Sequence, residues 1–446
     1  MGNHTGKKTV VIGLDGTPYS LILKLLQLGI CPNISKLLSA GALREMKSTH
    51  PAVSSVAWTS FMTGKNPAKH GIFGFMDRIP NTYDMYYPNS KHIQSKPIWD
   101  ILRNYNKRSV VINVPSTYPA LEMNGILIAG FVAIDLARAS FPNTIVPALK
   151  EMGYKIDVET QLIHESKDKL FDDLFLTLEK RTQAILHFMK SEVWDLFVGI
   201  FTETDRLHHF FWEFMESNDQ KYGPLFLNYY KTIDASVGKI MENIDNNTTL
   251  ILLSDHGFCT LRQEVYINHW LKGEGFLNFK TNPPKSLSDI GNGSKAYCLD
   301  PGRIYINLKG REPNGCVEPG NDYEQVRNTL ITKLAEIKDP ATKTNIIDRI
   351  HRREEIYQGK FFDRAPDLVI EPKHGYDLKG AIYKESLLGK GVFSGMHTYD
   401  DAFVYVNHKN ITKQSLEITD VTATILNSFD IPIPGDMDGK NFIKWN

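Results

Sequence analysis

The sequence predicts an α/β protein built on a largely parallel central sheet with helices on both faces, and three observations carry that expectation. Continuous apolar runs rich in β-branched residues recur along the chain: TVVIGL (9–14), RSVVINV (108–114), DLFVGIF (195–201) and TTLILLS (248–254). Runs without polar alternation belong to strands covered on both faces. Between them lie helical patterns, YSLILKLLQLG (19–29), PIWDILRNYN (97–106) and the amphipathic KLFDDLFLTLEKRTQAILHFMKSE (169–192). After the fourth run the texture changes, and residues 270–390 hold PPKSLSDIGNGSK, GREPNGCVEPGND and EPKHGYDLKG, segments whose Gly, Pro, Asn and Asp content favours loops. The ending ITDVTATILNSFDIPIP again reads as capped helix then strand. The expected organisation is a core of residues 1–269 and 391–446 interrupted by a loop-rich α+β insertion, 270–390.

Composition narrows the class of function. The chain has 446 residues, 42% of them hydrophobic and 23% charged, with 51 Lys+Arg against 51 Asp+Glu. Such a chain buries a large core, and its balanced charge argues against a nucleic-acid partner or a membrane surface held by overall basicity. No run approaches the ~20 apolar residues that span a bilayer, and the opening MGNHTGKK passes into the first strand without an apolar leader. Gly6 stands where an N-myristoylation motif wants Ser or Thr. Cys31, Cys259, Cys298 and Cys316 are scattered without a CxxC pair, the usage of a reducing compartment. The expected location is cytoplasmic and the expected partner a small molecule.

Five places carry residues fit for chemistry. Asp15 follows the first strand, where open α/β sheets place their ligand crevices; a turn-forming Asp before Gly16 is the plain alternative. Ser54 stands at the start of a helix expected to run to Thr63 and stop at Gly64. A Ser there can cap the helix, or it can face an anion drawn to the helix N-terminus. Asp205 and His209, four apart after the third strand, share a helical face and can bind one metal or simply each other; His208 then points elsewhere. Asp255 and His256 end the fourth strand, with Gly257 freeing the backbone. His397 lies in FSGMHTYDDAFVYV (393–406) and is unremarkable alone. Taken together, Asp15, Asp205, Asp255, His209, His256 and His397 are three carboxylates and three imidazoles. That donor set suits two divalent ions, zinc foremost and manganese also allowed, and bimetal centres perform phosphoryl transfer.

In order and spacing these residues resemble the alkaline phosphatase superfamily, in its type I phosphodiesterase/nucleotide pyrophosphatase branch with the related phosphohydrolases and phosphomutases. The segments that carry the resemblance are VIGLDG, PAVSSVAWTSFMTGKNPAKHGIFGF (51–75), INVPSTYP (112–119), TDRLHHFFW (204–212), SDHGF (254–258), RREEIYQGKFFDRAPDLVIEP (352–372) and IPIPGDMDGKNF (431–442). The resemblance implies that Asp15, Asp255 and His256 hold one metal beside a hydroxyl nucleophile, Ser54, which ligates it, and that Asp205, His209 and His397 hold the other. Ser55 is the neighbour that the count could confuse with Ser54. It also implies hydrolysis of phosphate esters, with Ser54 attacking phosphorus in line and a phosphoserine intermediate cleared by water.

Two departures bear on the substrate. The nucleotide pyrophosphatase pattern carries an Asn after HGI, where this chain reads FGF, and SSVAW lacks the xPxR that sulfatases need. A diesterase requires a pocket for the second ester group, for which Trp58, Phe73 and Phe75 are candidates, with core packing the plainer role for Trp58. A monoesterase or mutase requires added positive charge for a dianion, for which Arg206, Lys65, Lys69 and Arg78 are candidates. Residues 270–390 separate Asp255 and His256 from His397, so the insertion is expected to emerge beside the metals and to bear on specificity.

Overall fold

The computed structural model describes residues 7–445; the Met1–Gly6 segment lies outside the described residues. The chain divides into two compact units, residues 7–66, 89–258 and 397–445 in the first and residues 67–88 and 259–396 in the second. Unlike the expected insertion of 270–390, the second unit also takes in the segment that follows the Ser54 helix.

The first unit is built on a nine-stranded sheet. In chain order its strands are β1 (Lys8–Leu14), β2 (Ala42–Lys47), β3 (Ser109–Ile112), β4 (Gly125–Ile128), β5 (Ser140–Phe141), β6 (Leu196–Phe201), β7 (Thr248–Leu253), β8 (Ala402–Val406) and β9 (Leu416–Glu417). Across the sheet the order is β9, β2, β8, β7, β1, β6, β3, β4, β5. The five strands from β7 to β4 run parallel, and antiparallel neighbours flank them on both sides. All four apolar runs of the sequence are strands of this parallel centre.

Helices cover both faces because the pleat sends successive residues to opposite sides. Gly13 is paired with Ile200, and a Cβ on Gly13 would lie 2.5 Å from the indole of Trp58, which sits on helix α1 (Ser54–Thr63). Gly199 is paired with Ile12, and a Cβ there would lie 2.9 Å from Ile185 on helix α2 (Lys167–Ser191). Neighbouring residues of β1 thus face different helices, and a glycine on each side admits a bulky one. On the α1 face Trp58, Phe61 and Met62 share a core with Val421 and Ile425 of the C-terminal helix Ile418–Ser428. Helix α3 (Glu203–Glu216) follows β6 directly.

The second unit has its own core, centred on Tyr297, Ile304, Leu330 and Leu368. Strands Ala296–Leu299, Arg303–Ile306, Leu368–Pro372 and Ile347–Arg352 form an antiparallel sheet in that order, joined by helix Asn321–Ala335. The FGF stretch belongs here. Gly74 leaves room for the Arg303 guanidinium, 2.2 Å from where a Cβ would stand, and Arg303 donates to Asp77 Oδ1 and Met76 O, each at 2.6 Å.

Among the described residues no single helix is long and apolar enough to cross a membrane, and none of the four cysteines is in a disulfide.

Candidate metal centre

Every residue assigned to the two metal sites from sequence falls in the first unit, at the carboxyl end of the parallel strands. Asp15 is the residue after β1, Asp255 and His256 follow β7 by two and three residues, and Asp205 and His209 lie in the first turns of α3 after β6. These three strands are adjacent, so their ends open into one crevice. His397 comes from the short strand Gly395–Thr398, just before β8.

Ser54 is the first residue of α1, not its cap: the cap position is Val53, in extended backbone, and no side chain caps the helix. The helix ends as expected, with Gly64 at φ 66°, the left-handed conformation that glycine adopts freely. Ser54 Oγ instead donates to Asp15 Oδ1 at 3.1 Å and lies 3.2 Å from His256 Nε2. Ser55 points elsewhere, its hydroxyl buried without a hydrogen-bond partner.

Around Ser54, Asp15, Asp255 and His256 present ligand atoms that all lie within 4.8 Å of one another. His256 Nδ1 is 3.0 Å from the carbonyl of Gly257. A carbonyl only accepts, so Nδ1 carries the proton and the Nε2 lone pair faces the two carboxylates. Burial holds this imidazole well below its usual pKa, that is, neutral and able to ligate. Burial, then the charges of Asp255 and Asp205, push Asp15 well above the ordinary carboxylate range. Asp255 is pushed up to about 7, chiefly by burial, and its Oδ2 is buried with no hydrogen-bond partner. Two carboxylates and an orphaned oxygen in a dry site are costly unless a cation neutralises them. The residues therefore fit a divalent ion.

The second group is Asp205, His209 and His397. His397 Nε2 lies 3.0 Å from Asp205 Oδ1 and 3.0 Å from His209 Nε2, and His209 Nε2 lies 3.5 Å from the same carboxylate oxygen. His397 Nδ1 is 3.1 Å from Ala52 O and so carries a proton, which aims its Nε2 at the other two ligands. Two imidazole nitrogens at 3.0 Å require a proton or a cation between them. The groups adjoin through His256, whose ring stacks on that of His397 with centroids 3.8 Å apart.

Several supporting residues were not legible from sequence. Trp58 donates from Nε1 to Asp15 Oδ2 at 2.8 Å, so this fully buried indole orients the carboxylate. Thr204 donates to Asp15 O at 2.6 Å, and the Gly16 N–H donates to Asp255 Oδ1 at 3.0 Å. His208 does point away from His209: its ring reaches Gly16 O at 3.0 Å and Tyr230 Oη at 2.7 Å, bracing the Asp15 turn from below. The glycine of β1 facing Trp58 is the one trace of this shell in the sequence.

The substrate-binding candidates are placed differently. Arg206 joins Asp205 Oδ2 and Asp157 Oδ2, each at 2.8 Å, with its guanidinium 4.5 Å from the Phe131 ring. Lys65 pairs with Asp436. Within the second unit, Arg78 lies 3.2 Å from Glu312, and Phe73 is buried against Tyr357.

Comparison with known proteins bears on the family and the fold. The family model described as type I phosphodiesterase/nucleotide pyrophosphatase matches residues 9–400. Among solved structures, phosphonoacetate hydrolase from Sinorhizobium meliloti 1021, in complex with phosphonoformate, superposes with a TM-score of 0.65 at 15% identity, covering 95% of each chain. Murine ectonucleotide pyrophosphatase/phosphodiesterase 5, as an inactive variant in complex with AMP, superposes with a TM-score of 0.58 at 15% identity, covering 98% of this chain and 97% of the other. No curated protein sequence gives a significant match. With the fold, the crevice and a family match over nearly its whole length in agreement, the chain belongs to the type I phosphodiesterase/nucleotide pyrophosphatase family of the alkaline phosphatase superfamily and is a phosphoric ester hydrolase.

Proposed function

We propose that the enzyme hydrolyses phosphodiesters or pyrophosphates of small molecules, nucleotides among them, through a phosphoserine on Ser54. The observation that carries this reading is Ser54 Oγ, set at a helix start between Asp15 Oδ1 and His256 Nε2. Asp15, Asp255, His256 and Ser54 itself would hold one metal ion, and Asp205, His209 and His397 the other. Bound divalent ions, zinc by the share of imidazole, supply the positive charge that acidifies a ligated hydroxyl and offsets charge on a leaving oxygen.

The chain's own residues do the rest. Trp58 and Thr204 fix Asp15, and Asp15 with His256 holds the Ser54 oxygen in one orientation. The N-terminus of α1 adds positive dipole where the phosphoryl oxygens gather. Oγ forms a bond to phosphorus as the bond to the leaving oxygen breaks; water then attacks the same phosphorus, the Oγ–P bond breaks, and a monoester leaves.

Three cations that a monoesterase or mutase would use on a dianion are engaged by carboxylates: Arg206 by Asp205 and Asp157, Lys65 by Asp436 and Arg78 by Glu312. That supports the diester reading. The AMP and phosphonoformate bound to the two structural neighbours set the test panel.

The decisive assay takes zinc- or manganese-loaded protein against bis-p-nitrophenyl phosphate, p-nitrophenyl phosphate, dinucleotide polyphosphates and phosphonoacetate. The diester should turn over fastest. Ser54→Ala should lower kcat by roughly 10³-fold or more while metal content is retained. A Ser54→Ala protein with near-normal turnover would overturn the phosphoserine route, and faster turnover of the monoester would overturn the substrate class.

A further inference from the structure

Arg206 stands between two carboxylates of different kinds. Its Nη1 donates to Asp205 Oδ2 at 2.8 Å, an oxygen of the second ligand group, and its Nη2 donates to Asp157 Oδ2 at 2.8 Å. Asp157 lies in the segment between β5 and α2, outside the motif segments of the sequence, and among the described residues it joins no group able to hold a metal. One cation shared by two carboxylates leaves an excess of negative charge beside the metal centre.

Asp157 is not needed to hold its own segment in place. Arg181 of α2 donates from Nη2 to Ile156 O at 2.6 Å and from Nη1 to the Tyr154 hydroxyl, while its Nε donates to Glu203 Oε1 at 3.0 Å. The Arg181 and Glu203 side chains are fully buried. The segment is thus fixed to α2 and α3 by an interior cation whichever residue stands at position 157. Asp157 and Arg206 sit nearer solvent, their side chains 19% and 15% exposed.

The effect of Asp157 is on the charge of Arg206. Burial disfavours the guanidinium's charge, but Asp157, then Asp205, outweigh it and hold Arg206 above its ordinary pKa. The Arg206 charge in turn acts on Asp15 as well as on Asp205, so its field reaches the carboxylate that receives Ser54 Oγ. A phosphomonoester arrives there as a dianion and a phosphodiester as a monoanion. Repulsion by an excess negative charge is twice as large for the dianion.

We infer that Asp157 is a specificity-determining residue: its ion pair with Arg206 maintains the negative excess that favours a monoanionic diester over a dianionic monoester. The inference rests on the reading of Ser54 as the place where the phosphoryl group is attacked.

Two variants separate charge from shape. Asp157→Asn keeps the shape and removes the charge, and Asp157→Glu keeps the charge and alters the shape. In the metal-loaded full chain, kcat/KM for p-nitrophenyl phosphate relative to bis-p-nitrophenyl phosphate should rise roughly threefold or more in Asp157→Asn, through KM more than kcat. In Asp157→Glu it should stay within about twofold of the parent. Calorimetric titration with inorganic phosphate and with dimethyl phosphate, at about pH 8 where the first is a dianion, reads the same preference without turnover. Phosphate should gain several-fold over dimethyl phosphate in Asp157→Asn alone. An unchanged ratio in Asp157→Asn, an equal shift in both variants, or loss of a metal ion from Asp157→Asn would overturn the inference. A parent enzyme faster on the monoester would overturn the substrate class proposed above and leave this test standing, because each variant's ratio is read against that of the parent.

Discussion

Asp15, Asp255 and His256 are sealed in the interior, their side chains at most 2% exposed, whereas His209 and His397 keep 17% and 19% of theirs in contact with solvent. The difference extends to charge. In the sealed group two carboxylates repel each other, and an oxygen of Asp255 has no partner. In the open group burial also pushes Asp205 upward, but His209, His397 and Arg206 outweigh it and hold the carboxyl well below its usual range. The protein thus completes one site with its own cation and leaves the other in need of one. On the proposed two-ion reading, the sealed group would gain more from a metal ion, and the open group, already shaped by Arg206, would be where the second ion and water come and go.

The sharpest way to break this contrast is to neutralise one carboxylate at a time in chelator-treated protein. Asp255→Asn removes a buried, unneutralised charge and should raise the thermal midpoint. Asp205→Asn leaves the Arg206 guanidinium with Asp157 alone and should lower it, the lost partner costing about 1–3 kcal/mol of stability. Midpoints moving the same way in both variants would show that the groups do not differ in this respect. The pH dependence has matching signs. Asp255 binds its proton more tightly folded than unfolded, so its contribution favours the fold at low pH and is lost as pH rises from about 4 toward 7. Asp205 has the opposite shift; its contribution is complete above the ordinary carboxylate pKa and is lost as pH falls below it. The metal-free protein should accordingly gain stability from pH 7 to about 5, and Asp255→Asn should flatten that rise.

Much of the centre was legible because parallel strands point one way. Asp15, Asp205 and Asp255 each follow an apolar run closely, and once those runs are strands of one sheet, their ends must share a crevice. The hidden part depends on contacts between residues far apart in the chain. Trp58 reads as a core aromatic, and only the packing of α1 over Gly13 turns its indole N–H onto Asp15. Lys65 reads as a cation near the Ser54 helix, until Asp436, 371 residues away, takes it. Residues 67–88 look continuous with that helix, yet Asp77 belongs with Arg303, 226 positions on. Periodicity shows which face a residue occupies, not which distant partner meets it there.

A smaller effect sharpens the same comparison. His397→Ala removes one of the three residues proposed to hold the second ion and leaves the hydrogen bonds of Asp15 and Asp255 untouched. Metal analysis by mass spectrometry should fall from about two ions per chain toward one, with affinity at the damaged site reduced by roughly 10–100-fold or more and circular dichroism unchanged. Retention of both ions would place the second ion's ligands elsewhere.

The least change is expected at Ser55, and it bears on the assignment of the nucleophile. Ser55 and Ser54 are successive residues on one helix, about 100° apart around its axis, so only one hydroxyl can face the Asp15 side. Ser54 does so, while Ser55 Oγ is enclosed without an acceptor. A buried hydroxyl that makes no hydrogen bond contributes little beyond the volume it fills, and its loss removes a desolvated polar group. Ser55→Ala should therefore leave kcat/KM for a diester within about twofold and stability within about 1 kcal/mol. The Ser55 carbonyl still accepts from Thr59 Oγ at 2.6 Å, so the helix start keeps its geometry. If Ser55→Ala abolished turnover while Ser54→Ala preserved it, the nucleophile would move by one residue, and the contacts of Ser54 with Asp15 and His256 would have to be structural.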